Sequence, residues 1–389
     1  MKYLVIGDAN SMHIFNFVKS FLIPAGYEIY LLTLSTLPIR NEFRIFYEKN
    51  KIKVFSIAEE HYKHLSSKNI FFRGVNFLRK LRLMKAISHV DICHVQSVYK
   101  TSLLMVLQNI NKFNTVILSY WGGDIEDRSV CTMYIRKKCF PLASAITVTT
   151  QQTLNVFHEL YGERFNSKLR ISRFGTQGLD CIHQLSETTT RAACRACYNI
   201  PATKICITCG YSAYAEQHQD QCLIEIMKLP EAIRKKIFVI IPMQYGRFNV
   251  EYIKQVEALQ RKCDFDCIIL DSFVPFEMSA KLAIATDIYL HLRDTDAFSN
   301  ALKEHVFAKS IIIAGKWLKY IELENMKAPI ITISSFAELT PVLQETITSF
   351  KPSDKINLFT PIYQMYSTKS VNEQWRTTVD FALTNSRTK

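Results

Sequence analysis

The sequence predicts an α/β protein of two doubly wound halves, each a mostly parallel sheet with helices on both faces. Three observations carry that prediction. Short β-branched runs alternate with helical patterns along the whole chain, the order expected of βαβ units. The series starts at the first residues and starts again at Lys204–Gly210, after a looser polar stretch. The chain is also long, at 389 residues, for a single hydrophobic core.

Lys2 to Ile6 is an apolar strand that ends at Gly7-Asp8-Ala9-Asn10-Ser11. Ile14, Phe15, Val18, Phe21 and Leu22 then fall on one helical face, and Gly26 leads into a strand at Glu28 to Leu32. This opening lacks the Gly-x-Gly-x-x-Gly of dinucleotide enzymes, which argues against a nicotinamide cofactor. Further strands are expected at Lys53 to Ile57, Ile92 to Gln96, Thr115 to Tyr120 and Ala145 to Thr149. From Leu179 to Pro201 the pattern loosens into a polar, helical or linking segment. Strands resume at Lys204 to Gly210, Ile237 to Met243, Cys267 to Leu270, Asp287 to Leu292, Ser310 to Ala314 and Pro329 to Ile333. Asn372-Glu373-Gln374-Trp375 opens a terminal amphipathic helix. The expected domains are residues 1–180, with a helix at about 365–389 packing back on them, and residues 200–364, the two facing a cleft.

Composition narrows the class. Apolar residues make up 48% and charged residues 21%, which describes a folded chain and not a disordered one. The apolar stretch Ile14 to Leu34 contains Lys19, Pro24 and Glu28, so it is no membrane span. The N-terminus reads as a strand and turn without a cleavage site, so a cytoplasmic protein is expected. The eleven cysteines are scattered and mostly sit in apolar runs, as reduced buried thiols do. Cys194 and Cys197, followed by Cys206 and Cys209, have metal-like spacing. The second pair falls in a strand whose alternation sends the two thiols to opposite faces, so no metal is expected.

The net charge of +13 has a local source. Between His61 and Val90 lie Lys63, Lys68, Arg73, Arg79, Lys80, Arg82 and Lys85 with no acid, interleaved with Phe71, Phe72, Phe77, Leu78, Leu81, Leu83 and Met84. Such a segment suits an anionic membrane surface, and no nucleic-acid motif accompanies it. The plain alternative is a solvated basic helix.

The stretch Asp296-Ala297-Phe298-Ser299-Asn300-Ala301-Leu302-Lys303-Glu304 sits between a strand-like run and an apolar helix. A strand, a small-residue loop and a helix start present backbone N–H groups to an anion. Carboxylates at either end can accept hydrogen bonds from sugar hydroxyls. An ordinary βα unit with solvated acids would carry the same pattern.

Several motifs together resemble the GT-B glycosyltransferases of the large retaining family numbered four, over nearly the full length. Ile6-Gly7-Asp8-Ala9-Asn10-Ser11-Met12-His13 resembles that family's first loop, and Asp91-Ile92-Cys93-His94-Val95-Gln96 its Asp-Ile-x-His-x-His strand end. Ser119-Tyr120-Trp121-Gly122-Gly123-Asp124-Ile125 resembles its Trp-Gly-Ser-Asp-Ile signature. Asp271-Ser272-Phe273-Val274-Pro275 resembles its Gly-Phe-Val-Pro turn, and Asp296 to Glu304 its Glu-x7-Glu motif. The chain departs from the family in having Asp at 296, Ser at 299, and no Arg and Lys after the first strand of the second half. The loops Gly210 to His218 and Ile241 to Ile253 are more similar to the fucosamine transferase of enterobacterial common antigen synthesis, which makes Arg247 the candidate phosphate cation.

The resemblance implies a retaining, metal-independent glycosyltransferase of surface polysaccharide (O-antigen or capsule) synthesis, acting at the inner face of the cytoplasmic membrane. Its donor would be a nucleotide sugar, its acceptor a glycan on a lipid or a free oligosaccharide, and no cofactor is implied. The first half would bind the acceptor and the second half the donor. Glu304 would hold the ribose and Asp296 the donor sugar, with the helix-start amides of Ser299, Asn300, Ala301 and Leu302 at the phosphates and Phe298, Gly210 and Tyr211 also binding the donor. Ser272, Phe273 and Val274 would hold the base. Gly7, Asn10 and Ser11 would form the phosphate and acceptor loop, with Asp124, His13 and His94 the candidates for catalysis. Two other readings share this fold: a sugar-nucleotide 2-epimerase, which needs further carboxylates and histidines, and a partner subunit without turnover.

Overall fold

The computed structural model describes all residues except 59–68, 126, 273–274, 352, 354 and 387–389. The chain divides into two compact units, Met1–Gly175 with Thr368–Lys389, and Thr176–Ser367.

In the first unit the strands are β1 (Lys2–Gly7), β2 (Glu28–Thr33), β3 (Lys53–Phe55), β4 (Val90–Gln96), β5 (Phe113–Ser119), β6 (Ala145–Val148) and β7 (Leu169–Ile171). They form one parallel sheet in the order β3-β2-β1-β4-β5-β6-β7. The apolar runs are continuous because both faces are covered: Tyr3 and Val5 pack with Ile29 and Leu31, while Leu4 and Ile6 pack with Leu32 and Met84 on the other side. In the terminal helix Thr368–Thr384, Val371, Trp375, Val379 and Ala382 form one buried stripe against the Tyr3 face. Trp375 Nε1 donates to the Arg173 carbonyl at 2.9 Å, which locks the helix to the end of the same unit. β7 has no counterpart in the sequence analysis, because three residues are too few to show a period.

The second unit contains β8 (Ile205–Cys209), β9 (Ile237–Pro242), β10 (Asp266–Leu270), β11 (Ile288–His291), β12 (Ile311–Gly315) and β13 (Ile330–Ile333). They too are parallel, in the order β10-β9-β8-β11-β12-β13. Cys206 and Cys209 pack into different cores, one on each face of this sheet. The polar stretch before β8 forms two helices, Gln177–Thr188 and Arg191–Ala196, and belongs to this unit. A buried carboxylate explains its order. Asp287 holds Arg191 at 2.5 Å and Arg195 at 3.0 Å, and accepts the Cys206 amide at 2.7 Å.

In each sheet the strand order reverses once, between β1 and β4 in the first and between β8 and β11 in the second. Open parallel sheets take ligands in the crevice at the carboxyl ends of the strands beside such a reversal.

Candidate functional site

The second unit gathers the larger set of candidate residues at its reversal. β8 runs into Gly210, whose φ of +66° is easy only without a side chain; an added Cβ would lie 2.8 Å from Gln217 Oε1. The loop after β11 carries Arg293 and Asp296, then Phe298 at φ +65°. That is uncommon for a bulky residue and costs on the order of 1–3 kcal/mol. Burial of the Phe298 ring against Tyr320 and Tyr366 offsets it.

Asp296 is fully engaged within the protein. Its Oδ2 accepts the Ser299 amide at 2.9 Å and the Tyr320 hydroxyl at 2.9 Å, with His291 Nε2 at 3.2 Å. Arg293 Nη1 lies 3.4 Å from the other oxygen. Burial opposes ionisation of this carboxyl, but the bonds from His291, Ser299 and Tyr320 outweigh it and hold it well below the usual carboxylate range. The residue that reads as a sugar ligand in the sequence therefore fixes the loop and the start of the Asn300–Phe307 helix.

Glu304 lies one turn into that helix and behaves in the opposite way. It packs on Gly178 so closely that an added Cβ would lie 2.0 Å from Oε1. No hydrogen bond from a described residue reaches its carboxylate. Burial pushes its pKa up to about 7, against the pull of neighbouring Lys303. Lys303 itself is buried, with Nζ over the rings of Phe298 and Tyr366. Asn300 accepts from the Thr176 hydroxyl at 3.0 Å. Ala301 and Leu302 stand in the first turn of the helix, where amides have no intrahelical acceptor.

Tyr211 connects the two loops: its hydroxyl bonds Arg293 Nη1 and lies 3.5 Å from Asp296 Oδ1. Arg247 is exposed, and its Nη1 donates to the Met243 carbonyl at 3.1 Å. Ser272 is exposed and bonds Asp271, while Phe273 and Val274 lie outside the described residues. Sequence reasoning missed Arg293, although its place directly after a strand and three residues before Asp296 was available as a signal.

At the reversal of the first unit, Gly7 closes β1 against Ile14 and Gln96. Asn10 stitches two loops, donating to the Pro38 carbonyl at 3.0 Å and accepting the Arg40 amide at 2.8 Å. Ser11 begins the helix Met12–Phe17 without a side-chain capping bond. His13 stacks on Phe174 with centroids 4.4 Å apart and meets the edge of Trp121 at 5.5 Å. Asp124 accepts the Val98 amide at 2.7 Å on one oxygen and the Trp121 and Gly122 amides at 2.8 and 3.0 Å on the other. It is 2% exposed, so its carboxylate joins the loops after β4 and β5. His94 is wholly buried between the Tyr3 and Ser119 hydroxyls, at 2.8 and 2.6 Å, and burial drives its pKa down to about 3. It remains a neutral core residue near neutral pH. Of the three catalytic nominees, His13 is the one whose ring is only partly covered within this unit.

Solved structures provide the comparison. The chain is similar to Anabaena HepE in complex with UDP and glucose, at 14% identity and a TM-score of 0.66, with 98% of this chain and 99% of that one covered. It is similar to sucrose-phosphate synthase from Thermosynechococcus elongatus, at 12% identity and a TM-score of 0.64 over 99% and 97% of the two chains. The third is the UDP-forming α,α-trehalose-phosphate synthase from Burkholderia xenovorans, at 10% identity, a TM-score of 0.66 and full coverage of both. These likenesses establish the GT-B fold. No family model and no curated protein matches the sequence.

Proposed function

We propose that this protein transfers a sugar from a nucleoside-diphosphate sugar to a hydroxyl of a glycan acceptor. The observation that carries the reading is Glu304. A carboxylate without a hydrogen-bond donor, held against a glycine, stands on the helix that begins at the β8/β11 reversal of a GT-B fold. Such a group is ready to accept the two vicinal hydroxyls of a ribose, which no described protein group satisfies it for. Neighbours of the same fold were solved with UDP and UDP-glucose, which supports a nucleotide-sugar donor.

The chemistry fits the surroundings. Breaking the bond between the anomeric carbon and the phosphate oxygen leaves negative charge on the diphosphate. First-turn amides at Ala301 and Leu302 oppose that charge, and a nearby cation completes the neutralisation without a metal. The acceptor oxygen forms the new bond, and its proton passes to the leaving phosphate oxygen on the same face of the sugar, which is the retaining outcome. The decisive measurement is a thermal-shift panel of nucleoside diphosphates and their sugars, with product analysis of any stabilising sugar nucleotide. Failure of every nucleotide to raise the melting temperature would sink the reading.

We further propose a lipid-linked acceptor reached from an anionic membrane surface, as in surface polysaccharide assembly. The support is the helix Ile70–Ala86. Phe71 and Leu78 are 68% and 65% exposed, and Arg82 and Lys85 project on the same side. Lys80 is instead buried and donates to the Leu34 carbonyl at 2.6 Å, and Arg79 bonds Asn76. Lys63 and Lys68 lie outside the described residues. Replacing Arg82 and Lys85 together by Gln is expected to weaken binding to phosphatidylserine vesicles by ~2 kcal/mol, roughly thirtyfold. Unchanged cosedimentation would remove the membrane from the proposal.

A further inference from the structure

The eleven cysteines are free thiols, and two of them meet at the turn that follows the helix Val250–Gln260. Gln260 holds both ends of that turn. Its carbonyl accepts the Cys263 amide at 3.2 Å, and its Nε2 donates to the Cys267 carbonyl at 2.8 Å. Cys267 stands in β10, at the edge of the sheet, and is 9% exposed. Cys263 is half-buried and packs against the core cluster that contains Cys267. The two thiols hydrogen-bond to each other, Cys267 donating to Cys263. That bond favours the thiolate of Cys263 and holds its pKa below the ordinary thiol value, whereas the same contact and burial raise that of Cys267. The proton that Cys263 gives up on ionising points to the Leu259 carbonyl at 3.4 Å.

Other pairs lack one of these properties. Cys209 and Cys222 also bond each other, but at 0% and 1% exposure they are closed to a reagent from solvent. Cys197 is exposed, yet its thiol turns back to the Ala193 carbonyl at 3.4 Å, and buried Cys194 bonds Thr189 instead. Cys263 and Cys267 combine an accessible sulfur with a second sulfur in contact, the arrangement of an attacking and a resolving thiol.

We propose that Cys263 and Cys267 are a redox-active dithiol, which low-molecular-weight disulfides oxidise to an intramolecular disulfide. The thiolate of Cys263 attacks one sulfur of the small disulfide. A Cys263 mixed disulfide forms, the small molecule's S–S bond breaks, and the departing thiolate takes up the proton that Cys263 lost. Cys267 then gives up its proton to solvent and attacks the Cys263 sulfur, which expels the second small thiolate to be protonated in turn. The two cysteines lose two electrons, and the small disulfide is reduced to two thiols. The product ties edge strand β10 covalently to the turn before it. This chemistry does not depend on the nucleotide-sugar reading.

Oxidised glutathione is the probe, applied in excess to the folded full chain at about pH 8, where more of the thiol is ionised. Intact mass is expected to show the loss of two hydrogens, and peptide mapping should join Cys263 to Cys267. Dithiothreitol should restore the starting mass. Cys263→Ser should abolish the link. Cys267→Ser should stop at a stable glutathione adduct on Cys263, a trapped intermediate that bystander oxidation would not give. If Cys267→Ser does not fold, the wild-type map and Cys263→Ser, whose change lies on the half-buried turn, still decide. A wild type that carries glutathione on Cys263 without forming the link would overturn the proposal. So would adducts confined to the exposed Cys131 and Cys197, or a disulfide that joins any other pair.

Discussion

Glu304→Gln is expected to make the protein more stable at about pH 8 and to remove most of its nucleotide affinity. The wild-type carboxyl has its pKa lifted from 4.5 to about 7 by burial, so near pH 8 the folded state must hold an ionised group that its surroundings disfavour. Allowing for the partial exposure of the residue, that penalty is on the order of 2 kcal/mol. Glutamine keeps the shape and sheds the charge. The sign follows from proton binding: between about pH 4.5 and 7 the folded wild type binds more protons than the unfolded chain. Its stability therefore falls across that window and levels off above it. Denaturant unfolding of both proteins across this range should show the variant pulling ahead as pH rises. Binding should move the other way, since a charged acceptor shared by two hydroxyls contributes about 1.5–3 kcal/mol, roughly tenfold to a hundredfold in Kd. A group whose removal stabilises the fold and disables binding is kept for its ligand. Equal nucleotide affinity in the two proteins, measured by calorimetry at about pH 8, would refute the assignment.

The architecture was largely legible because buried parallel strands are written as uninterrupted apolar runs. Twelve of the thirteen strands in the described residues, from β1 to β13, coincide with stretches recognised in the sequence, and β7 was too short to show. The segment after Leu179 was less legible, because the order of its helices comes from Asp287, about ninety residues away, pairing with Arg191 and Arg195. Sequence spacing does not report such a partner. The same limit applied at the site. Asp124 and His94 lie at strand ends, where ligands usually approach, yet three backbone amides claim the first and two hydroxyls the second. Position along the chain indicated which edge of the sheet these residues occupy, and only the hydrogen bonds showed which way each was committed. Arg293 shows the converse. It belongs to no motif, and its place in the loop shows only in its pairing with Asp296 and Glu216.

Asp296→Ala is expected to destabilise the second unit by about 3–5 kcal/mol, the range for removing one partner of a buried charged network. The carboxylate is 3% exposed and receives Ser299 N, Tyr320, His291 and Arg293 at once. Without it, the positive-φ turn at Phe298 loses the bond that anchors it from both sides, and Arg293 loses its inner partner. Asp296→Asn keeps an acceptor for the Ser299 amide but not the charge, and should fall between. The pH dependence is opposite in sign to that of Glu304. Burial raises this acid but its hydrogen bonds lower it further, so its folded pKa lies below the ordinary 3.8. The stability it contributes is complete above that value and is lost only as pH falls below about 4, where the gap between wild type and Asp296→Ala should close. Two acids eight positions apart in one motif thus differ: the first builds the loop, and the second receives no hydrogen bond from the described residues, as its proposed role toward a ribose requires. If Asp296→Ala weakened nucleotide binding at least tenfold without changing the unfolding free energy, the first acid would be a ligand too, and this division would be wrong.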